Sequence, residues 1–558
     1  HCSLSIDERS IIMSRLSKVV KEQREATVLQ KDKVVKNFMD GESYAYSPLA
    51  TLKMISASSI FGEPSYYRDS GIGKRSTRYS ARGNEIWSKL LDYIIIPKEY
   101  NGKSTTEIMT EAIDASLDYD YEGTLNWAVE LRTVYNIRLN PQIIMVRAAI
   151  HPKRKAFTAN NKVNFRFINC QVMQRADEPM VQIAYYLFIN NGKKNNIPNI
   201  LKRSWSDKLS SLKPYAINKY KNAEIGMINA VRICHANSEN INELMSTGDI
   251  QVSNSETTWE QMRSAGKDWM YILENCNISH MALIRNLRNI FSEIDNVAIA
   301  DAVIAELKRG VLHGKQFPFR YYSAYKAIRD SNVHHKDILL DALEDCVDIS
   351  IANMPQLFGK TICLTDNSGS AWGTIPTEYG SVTIAEIDNL SSILTAKCSD
   401  EGYVGVFGDR LKIIPISKND KVLRKLAEIN KIGKEIGMCT EGGIWTFFQK
   451  ATNECDKFDN IFIYSDMQAG HGELYGTSDQ QQEYRNANCS CGRYINVFQC
   501  LLNYRRRVNK NVNMFSVQTA GYNNSVLPEY AYRTSMMSGW TGKEALFAKM
   551  LIDIWDNN

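Results

Sequence analysis

Two kinds of patterning follow one another along the chain. From its start to about residue 355, apolar positions recur at three-to-four spacing between breaks at Gly, Pro and Asn clusters, with no convincing alternating strand. In MALIRNLRNIF (281–291), Leu283, Ile284, Leu287, Ile290 and Phe291 share one helical stripe, and in DILLDALEDCV (337–347) Leu339, Leu343, Cys346 and Val347 do the same. Each such helix must bury its apolar face on a neighbour. Paired helices at roughly 40-residue intervals suit a HEAT-like α-solenoid. No repeat is visible residue by residue, so a compact irregular helical domain is the rival.

After Pro355 the period changes. KTICLTD, YVGVFGD, LKIIPI, NIFIYSD and NVNMFSV are short, β-branched, apolar runs, and helical stretches fall between several of them, around 380–398, 421–430, 441–454 and 541–555. That alternation predicts an α/β layer with a buried, largely parallel sheet. The boundary falls near 353–359, which divides the chain into a helical part, 1–355, and an α/β part, 356–558.

Composition narrows the class without naming it. The chain has 558 residues, 44% of them apolar and 23% charged, an ordinary globular balance. At ~100–200 residues per domain, two or more domains are expected. No apolar run reaches the ~18 residues of a membrane span, and HCSLSIDERS has no basic segment followed by an apolar one, so neither a span nor a secretory signal is expected. The twelve cysteines are too sparse and irregular for a disulfide framework, which suits a reducing, cytoplasmic compartment.

The net charge of +5 says little, but its distribution does. Residues 351–558 hold 21 basic and 22 acidic side chains, whereas Leu131 to Ser206 holds 13 Lys or Arg against two acids, Asp177 and Glu178. A basic stretch this poor in acids is suited to a polyanion.

The sharpest candidate chemistry is DNSGS (366–370), set at the carboxyl end of the apolar strand TICLT. A hard divalent cation needs several oxygen ligands, and Asp366, Ser368 and Ser370 can converge on one from a single turn. Thr440 in MCTEGG and Asp466 at the end of NIFIYSD follow in the order that would complete five oxygen ligands from three loops. An isolated D-x-S-x-S is ordinarily only a polar turn; its place after a buried strand is what changes the odds.

Other signals in the chain are weaker. Gly359-Lys360-Thr361 precedes a strand and lacks the first glycine of a phosphate loop, so nucleotide binding there is rejected. Cys489, Cys491 and Cys500, with His471 upstream, offer soft ligands for Zn²⁺, although C-x-C is tighter than the usual spacing and buried or free thiols are the alternative. Arg505-Arg506-Arg507 with Lys510 reads as a solvated helix face, with an RNA or partner contact as the alternative, and Phe157, Phe165 and Phe167 as buried anchors or base-stacking rings. There is no G-x-S-x-G elbow or H-E-x-x-H, and the basic half lacks the clustered carboxylates of a nuclease, so no enzyme is expected.

The five-oxygen arrangement resembles the metal-ion-dependent adhesion site (MIDAS) of von Willebrand factor A domains. Upstream, SWSDKLSSLKP (204–214), TTWEQMRSAGKDW (257–269), MALIRNLRNIF (281–291) and FPFRYYSAYKAI (317–328) resemble successive signatures of the TROVE module of the Ro autoantigen family and its bacterial relatives, which also end in such a domain. The resemblance covers roughly residues 20–555. It implies HEAT-like repeats closed into a ring by a doubly wound von Willebrand factor A-like domain. Single-stranded 3′ ends of misfolded or damaged RNA would enter the hole, and a small structured Y RNA would bind the outer basic face, for RNA quality control. It further implies Mg²⁺ or a similar hard ion at the five oxygen ligands, an open position there for an acidic residue of a protein partner such as a ribonuclease, no membrane, and a monomer.

Lys193, Lys194, Lys202, Arg203, Lys208 and Lys213 occupy the stretch where the family places RNA contacts. The loop holding Lys153, Arg154 and Lys155, between His151 and Arg166, has no family counterpart and is a candidate added contact. Ser211 stands where the family commonly has a histidine before the L-K-P step, and the helix ahead of it is shorter, which removes one expected contact. Two other classes compete with a Ro-like RNA binder: a metal-dependent adhesion or scaffold protein, and an RNA-processing enzyme or nuclease accessory.

Overall fold

A computed structural model describes residues 34–36, 42–57, 105–159, 164–222, 225–251, 258–314, 316, 318–352, 354–372, 374–377, 380–408, 410–437, 441–467, 490–491, 494–519, 524–528, 531–539, 542 and 544–557. Strands β1 (Val34–Lys36) and β2 (Glu42–Ala45) come first. Helices then follow as α1 (Pro48–Ala57), α2 (Thr105–Tyr119), α3 (Tyr121–Thr133), α4 (Leu139–Ile150), α5 (Arg154–Ala159), α6 (Phe165–Val172), α7 (Glu178–Ile189) and α8 (Asn199–Ser210). The series continues with α9 (Pro214–Tyr220), α10 (Met227–Cys234), α11 (Glu239–Thr247), α12 (Trp259–Ser264), α13 (Trp269–Asn275), α14 (His280–Glu293), α15 (Val297–Gly314), α16 (Pro318–Arg329) and α17 (Lys336–Ile351). The stripes predicted on α14 and α17 are buried, each against the neighbouring helices.

The second part begins with β3 (Leu357–Asp366), β4 (Thr374–Thr377), β5 (Gly380–Thr383), α18 (Ile384–Lys397), β6 (Ser399–Phe407), β7 (Leu411–Ile416), α19 (Val422–Glu435), α20 (Glu441–Asn453) and β8 (Asn460–Ser465). It ends with β9 (Ser490–Cys491), β10 (Tyr494–Ile495), α21 (Val497–Arg507), β11 (Asn513–Gln518), β12 (Asn524–Ser525), β13 (Thr534–Ser538) and α22 (Glu544–Asn557). The main sheet has the order β13-β11-β8-β3-β6-β7. All its neighbours are parallel except the antiparallel edge strand β7. β8 and β11 are buried along their whole length, as central parallel strands covered on both faces must be.

One expectation needs correcting. The first part is not helix throughout: β1 and β2 form a small sheet, and β2 pairs with β12, Ala45 opposite Asn524 and Tyr44 opposite Ser525. Strands of three or four residues are too short to show alternation, and the partner that satisfies their backbone lies at the far end of the chain.

The helical series meets the α/β part at both its ends. Just after α3, Tyr135 stacks on Phe547 of α22 with ring centroids 4.6 Å apart. At the other end, the Tyr322 hydroxyl of α16 donates to Glu386 Oε1 of α18 at 2.9 Å, Lys397 of α18 pairs with Asp348 of α17 at 3.2 Å, and Arg424 N donates to Glu344 at 3.2 Å. One hydrophobic core runs from Tyr46 through both parts to Trp555. The consequence shows in α18. It is buried almost all round, against β3 and β6 and against α19, with Glu386 and Lys397 reaching α16 and α17, so its polar residues Asp388, Asn389, Ser391 and Ser392 lie inside the protein. Among the described residues no helix is long and apolar enough to cross a membrane, and no disulfide joins the cysteines.

Candidate functional site

Parallel strands β3 and β8 are neighbours, Thr365 opposite Tyr464, so the loops at their carboxyl ends open side by side. Asp366 is the last residue of β3 and is fully buried. Its Oδ1 accepts from Ser368 N at 2.9 Å and its Oδ2 from the Ser465 hydroxyl at 2.6 Å. Ser368 and Ser370 hydroxyls lie 3.2 Å apart, and Ser370 Oγ donates to Asp466 Oδ2 at 3.0 Å. Four of the five predicted ligands, Asp366, Ser368, Ser370 and Asp466, thus converge; Thr440 lies outside the described residues.

The surroundings fix this turn. Thr365 Oγ1 and Asn389 Oδ1 are 2.7 Å apart, Asn367 and Asn389 exchange amide hydrogen bonds at 2.9 and 3.0 Å, and Asn389 also donates to Asn430 of α19. Helix α19 approaches closely because of Gly433: a Cβ there would stand 1.9 Å from Asn367 Oδ1. Burial pushes the Asp366 carboxyl upward, only partly offset by its bonds from Ser465 and Ser368. The donor set is all oxygen, and a buried carboxylate whose ionised form is disfavoured by desolvation is what a cation would relieve. These residues therefore fit a hard divalent ion such as Mg²⁺.

The soft-ligand cluster is not assembled by the described residues. Cys500 is buried on α21 within the core, the Cys491 side chain and the whole of Cys489 and His471 lie outside the described residues. Arg505 corrects another expectation: it points inward, only 8% exposed, and donates to the carbonyls of Val512 and Arg533, whereas Arg506 and Arg507 are exposed as predicted. Those carbonyls lie at the start of β11 and beside β13, so Arg505 ties the helix to the sheet.

The basic residues divide into several settings. Lys193 and Lys194 are exposed in the turn between α7 and α8, which Asn190 holds by donating to Lys193 O at 2.7 Å. Lys202 and Arg203 lie on α8 and line an open cleft of about 310 Å³ with Asn199, Ser206, Asp207, Arg166 of α6, Cys234 of α10 and His235 just after it. Arg166 pairs with Asp207 at the rim. Lys208 is engaged within the fold: it donates to Gln174 O at 3.1 Å, and burial pushes its ammonium down. Lys213 is exposed at the N-cap of α9.

In the second cluster Lys153 bonds Asp118 O at the end of α2, while Arg154 and Lys155 begin the short helix α5. The three phenylalanines differ: Phe165 is core, Phe157 stacks on Tyr121 at 4.9 Å, and Phe167 is 58% exposed beside Arg166. Sequence reading missed Asn199, Ser206 and His235 in the cleft. The signal was available for two of them, since Asn199, Lys202, Arg203 and Ser206 fall at i, i+3, i+4 and i+7 on one helix face.

Comparisons with known proteins give the fold and no family. No protein-family model matches the chain, and no curated protein matches it in sequence. Among solved structures the chain is similar to the Ro (RSR) protein of Deinococcus radiodurans, with a TM-score of 0.53 and 13% identity over 80% of this chain and 93% of that one. The helical series with an α/β domain holding a parallel-rich six-stranded sheet is thus a Ro-like architecture.

Proposed function

We propose that this protein is a Ro-like RNA binder, with small structured, Y-like RNA on its outer basic face and single-stranded 3′ ends of defective RNA in a central opening, serving RNA quality control. The observation that carries the reading is the cleft between α6, α8 and α10, where Lys202, Arg203, Arg166 and His235 meet, with Asp207, paired to Arg166, also in its lining. Lysine and arginine release counterions from phosphates, so binding there is salt-dependent and largely blind to sequence. Support for an opening comes from the contacts of both ends of the helical series with one α/β domain.

The α/β domain suggests a second activity beside this one. An ion held by Asp366, Ser368, Ser370, Thr440 and Asp466 would supply a Lewis-acidic anchor, and the oxygens converging on one loop mouth favour a partner that offers a carboxylate. The reading is of a monomeric, cytoplasmic binder and not of an enzyme.

Anisotropy with a fluorescent hairpin carrying a single-stranded 3′ tail tests the first reading. Affinity should fall with salt by about 0.7 log units per log unit for each phosphate neutralised. The tailed RNA should outcompete blunt duplex, and incubation with Mg²⁺ should shift the RNA without shortening it. A flat salt response ends the RNA reading, shortened RNA makes the protein a nuclease, and equal binding of duplex removes the opening.

A further inference from the structure

Helix α9 and the segment after α6 build a run of rings and cations beside the cleft. Tyr215 and Lys219 stand one turn apart on α9. The Lys219 ammonium lies 6.0 Å from the Tyr215 ring centroid and 5.8 Å from that of Tyr220. From between α6 and α7, the Arg175 guanidinium lies over Tyr220 at 5.1 Å. Rings and cations thus alternate in the order Tyr215, Lys219, Tyr220, Arg175. Arg175 is held in turn by Asp177, which Arg138 also pairs at 3.1 Å. The run adjoins the cleft through α8: Asp207 lines the cleft, and Lys208, the next residue, bonds the carbonyl of Gln174 just before Arg175.

The two rings differ in what they leave open. Tyr220 is half-buried with cations from two segments over it, so it seats Lys219 and Arg175. Tyr215 is 39% exposed and has only Lys219 over its ring among the described residues. An exposed ring flanked by fixed cations is what a single-stranded nucleic acid needs: a base stacks on the ring while its phosphates meet the positive charges. The charge balance agrees, since Arg138, Arg175 and Lys219 face the single acid Asp177, and Lys213 is exposed at the start of α9. Lys221, further along, is engaged by Asp249 and bounds the patch. A base inside a duplex is already stacked on both faces and cannot lie on Tyr215, whereas an unpaired base can.

We propose that Tyr215 is a stacking platform for an unpaired nucleobase of bound RNA, with Lys219 and Arg175, seated on Tyr220, taking the adjoining phosphates. This deepens, and rests on, the reading of the protein as a binder of single-stranded RNA. It adds to the cleft, whose cations meet any phosphate, a contact that separates unpaired from paired nucleotides.

The test is anisotropy with a fluorescent hairpin carrying a single-stranded 3′ tail, against the same hairpin whose tail is abasic, with identical phosphates and no bases. The full chain is compared with Tyr215→Ala and Tyr215→Phe. Loss of one base–aromatic stack should weaken binding of the ordinary tail by Tyr215→Ala about 5–150-fold. The same variant should bind the abasic tail as the wild type does, and Tyr215→Phe, which keeps the ring face, should match the wild type on both tails. Wild-type affinity of Tyr215→Ala for the ordinary tail overturns the platform and leaves the RNA reading standing. So does an equal loss on both tails, because the ring then acts without a base, and so does a loss in Tyr215→Phe, because the hydroxyl then makes the contact. No binding of either hairpin by the wild type overturns the RNA reading itself.

Discussion

The Ser370 hydroxyl donates to Asp466 Oδ2 at 3.0 Å, joining two residues 96 positions apart and closing the mouth between β3 and β8. Both atoms belong to the candidate ligand set, so this bond marks where an ion would sit between them. Ser370→Ala removes one oxygen and leaves both aspartates. It should weaken Mn²⁺ or Mg²⁺ binding by at least ~10-fold in calorimetry, while RNA affinity changes little because the basic cleft lies on other helices. An unchanged ion affinity takes Ser370 out of the site.

The Lys202 and Arg203 pair on α8 leads to a sharper number. If each neutralises one phosphate of a single strand, Lys202→Ala with Arg203→Ala should flatten the slope of log affinity against log salt by about 1.4. Lys208, further along the same helix but bonded to Gln174 O, is the contrast. Its replacement by Met should lower stability and leave the slope nearly as it was. A double variant with the wild-type slope moves the phosphate contacts off α8.

Phe167 offers a stacking surface that its neighbours do not. Phe165 is buried and Phe157 is covered by Tyr121, whereas Phe167 is exposed on α6, next in sequence to Arg166 of the cleft. Stacking on an aromatic ring is worth roughly 1–3 kcal/mol per base, so Phe167→Ala should weaken binding of a single-stranded oligonucleotide by about that much and leave the melting temperature nearly unchanged. Equal affinity of the variant, measured by anisotropy at fixed salt, means the ring does not stack.

How much of this was readable without coordinates depends on how local each cause is. The stripes of α14 and α17 and the five strand runs after Pro355 are local, period-driven signals: both stripes are buried and each run became a strand of the main sheet, with LKIIPI as its half-exposed antiparallel edge. The D-x-S-x-S loop was readable because its ligands lie within five residues of one strand end. The burial of Asp388 was not: it comes from α18 being packed between the sheet and α19, which no pattern within IAEIDNLSSILTAK announces. Arg505 was misread for the same reason, since the carbonyls it satisfies belong to Val512 and Arg533, one past the helix and one beside the last strand. β1 and β2 were missed because their pairing partner, β12, is at the other end of the chain.

The seam between the two parts carries a pH dependence whose sign follows from Asp345. This α17 residue accepts from Lys308 of α15 at 2.7 Å and from Lys421, which caps α19 of the other part. Partial burial pushes its carboxyl up, but the two ammonium bonds outweigh that and hold it below the ordinary value of 3.8. A carboxyl depressed in the folded state contributes stability that is present above its unfolded value and is lost as pH falls through the folded one. The contribution should therefore persist down to about pH 4 and disappear below it. Asp345→Asn should cost about 0.2–1 kcal/mol at neutral pH, since the pair is partly exposed, and the gap to the wild type in urea denaturation should narrow on acidification and vanish once both carry no charge at position 345. A gap that stays constant from neutral pH to pH 3 would show that the two lysines gain nothing from the carboxylate and that the seam is held by Glu386, Asp348 and Glu344 instead.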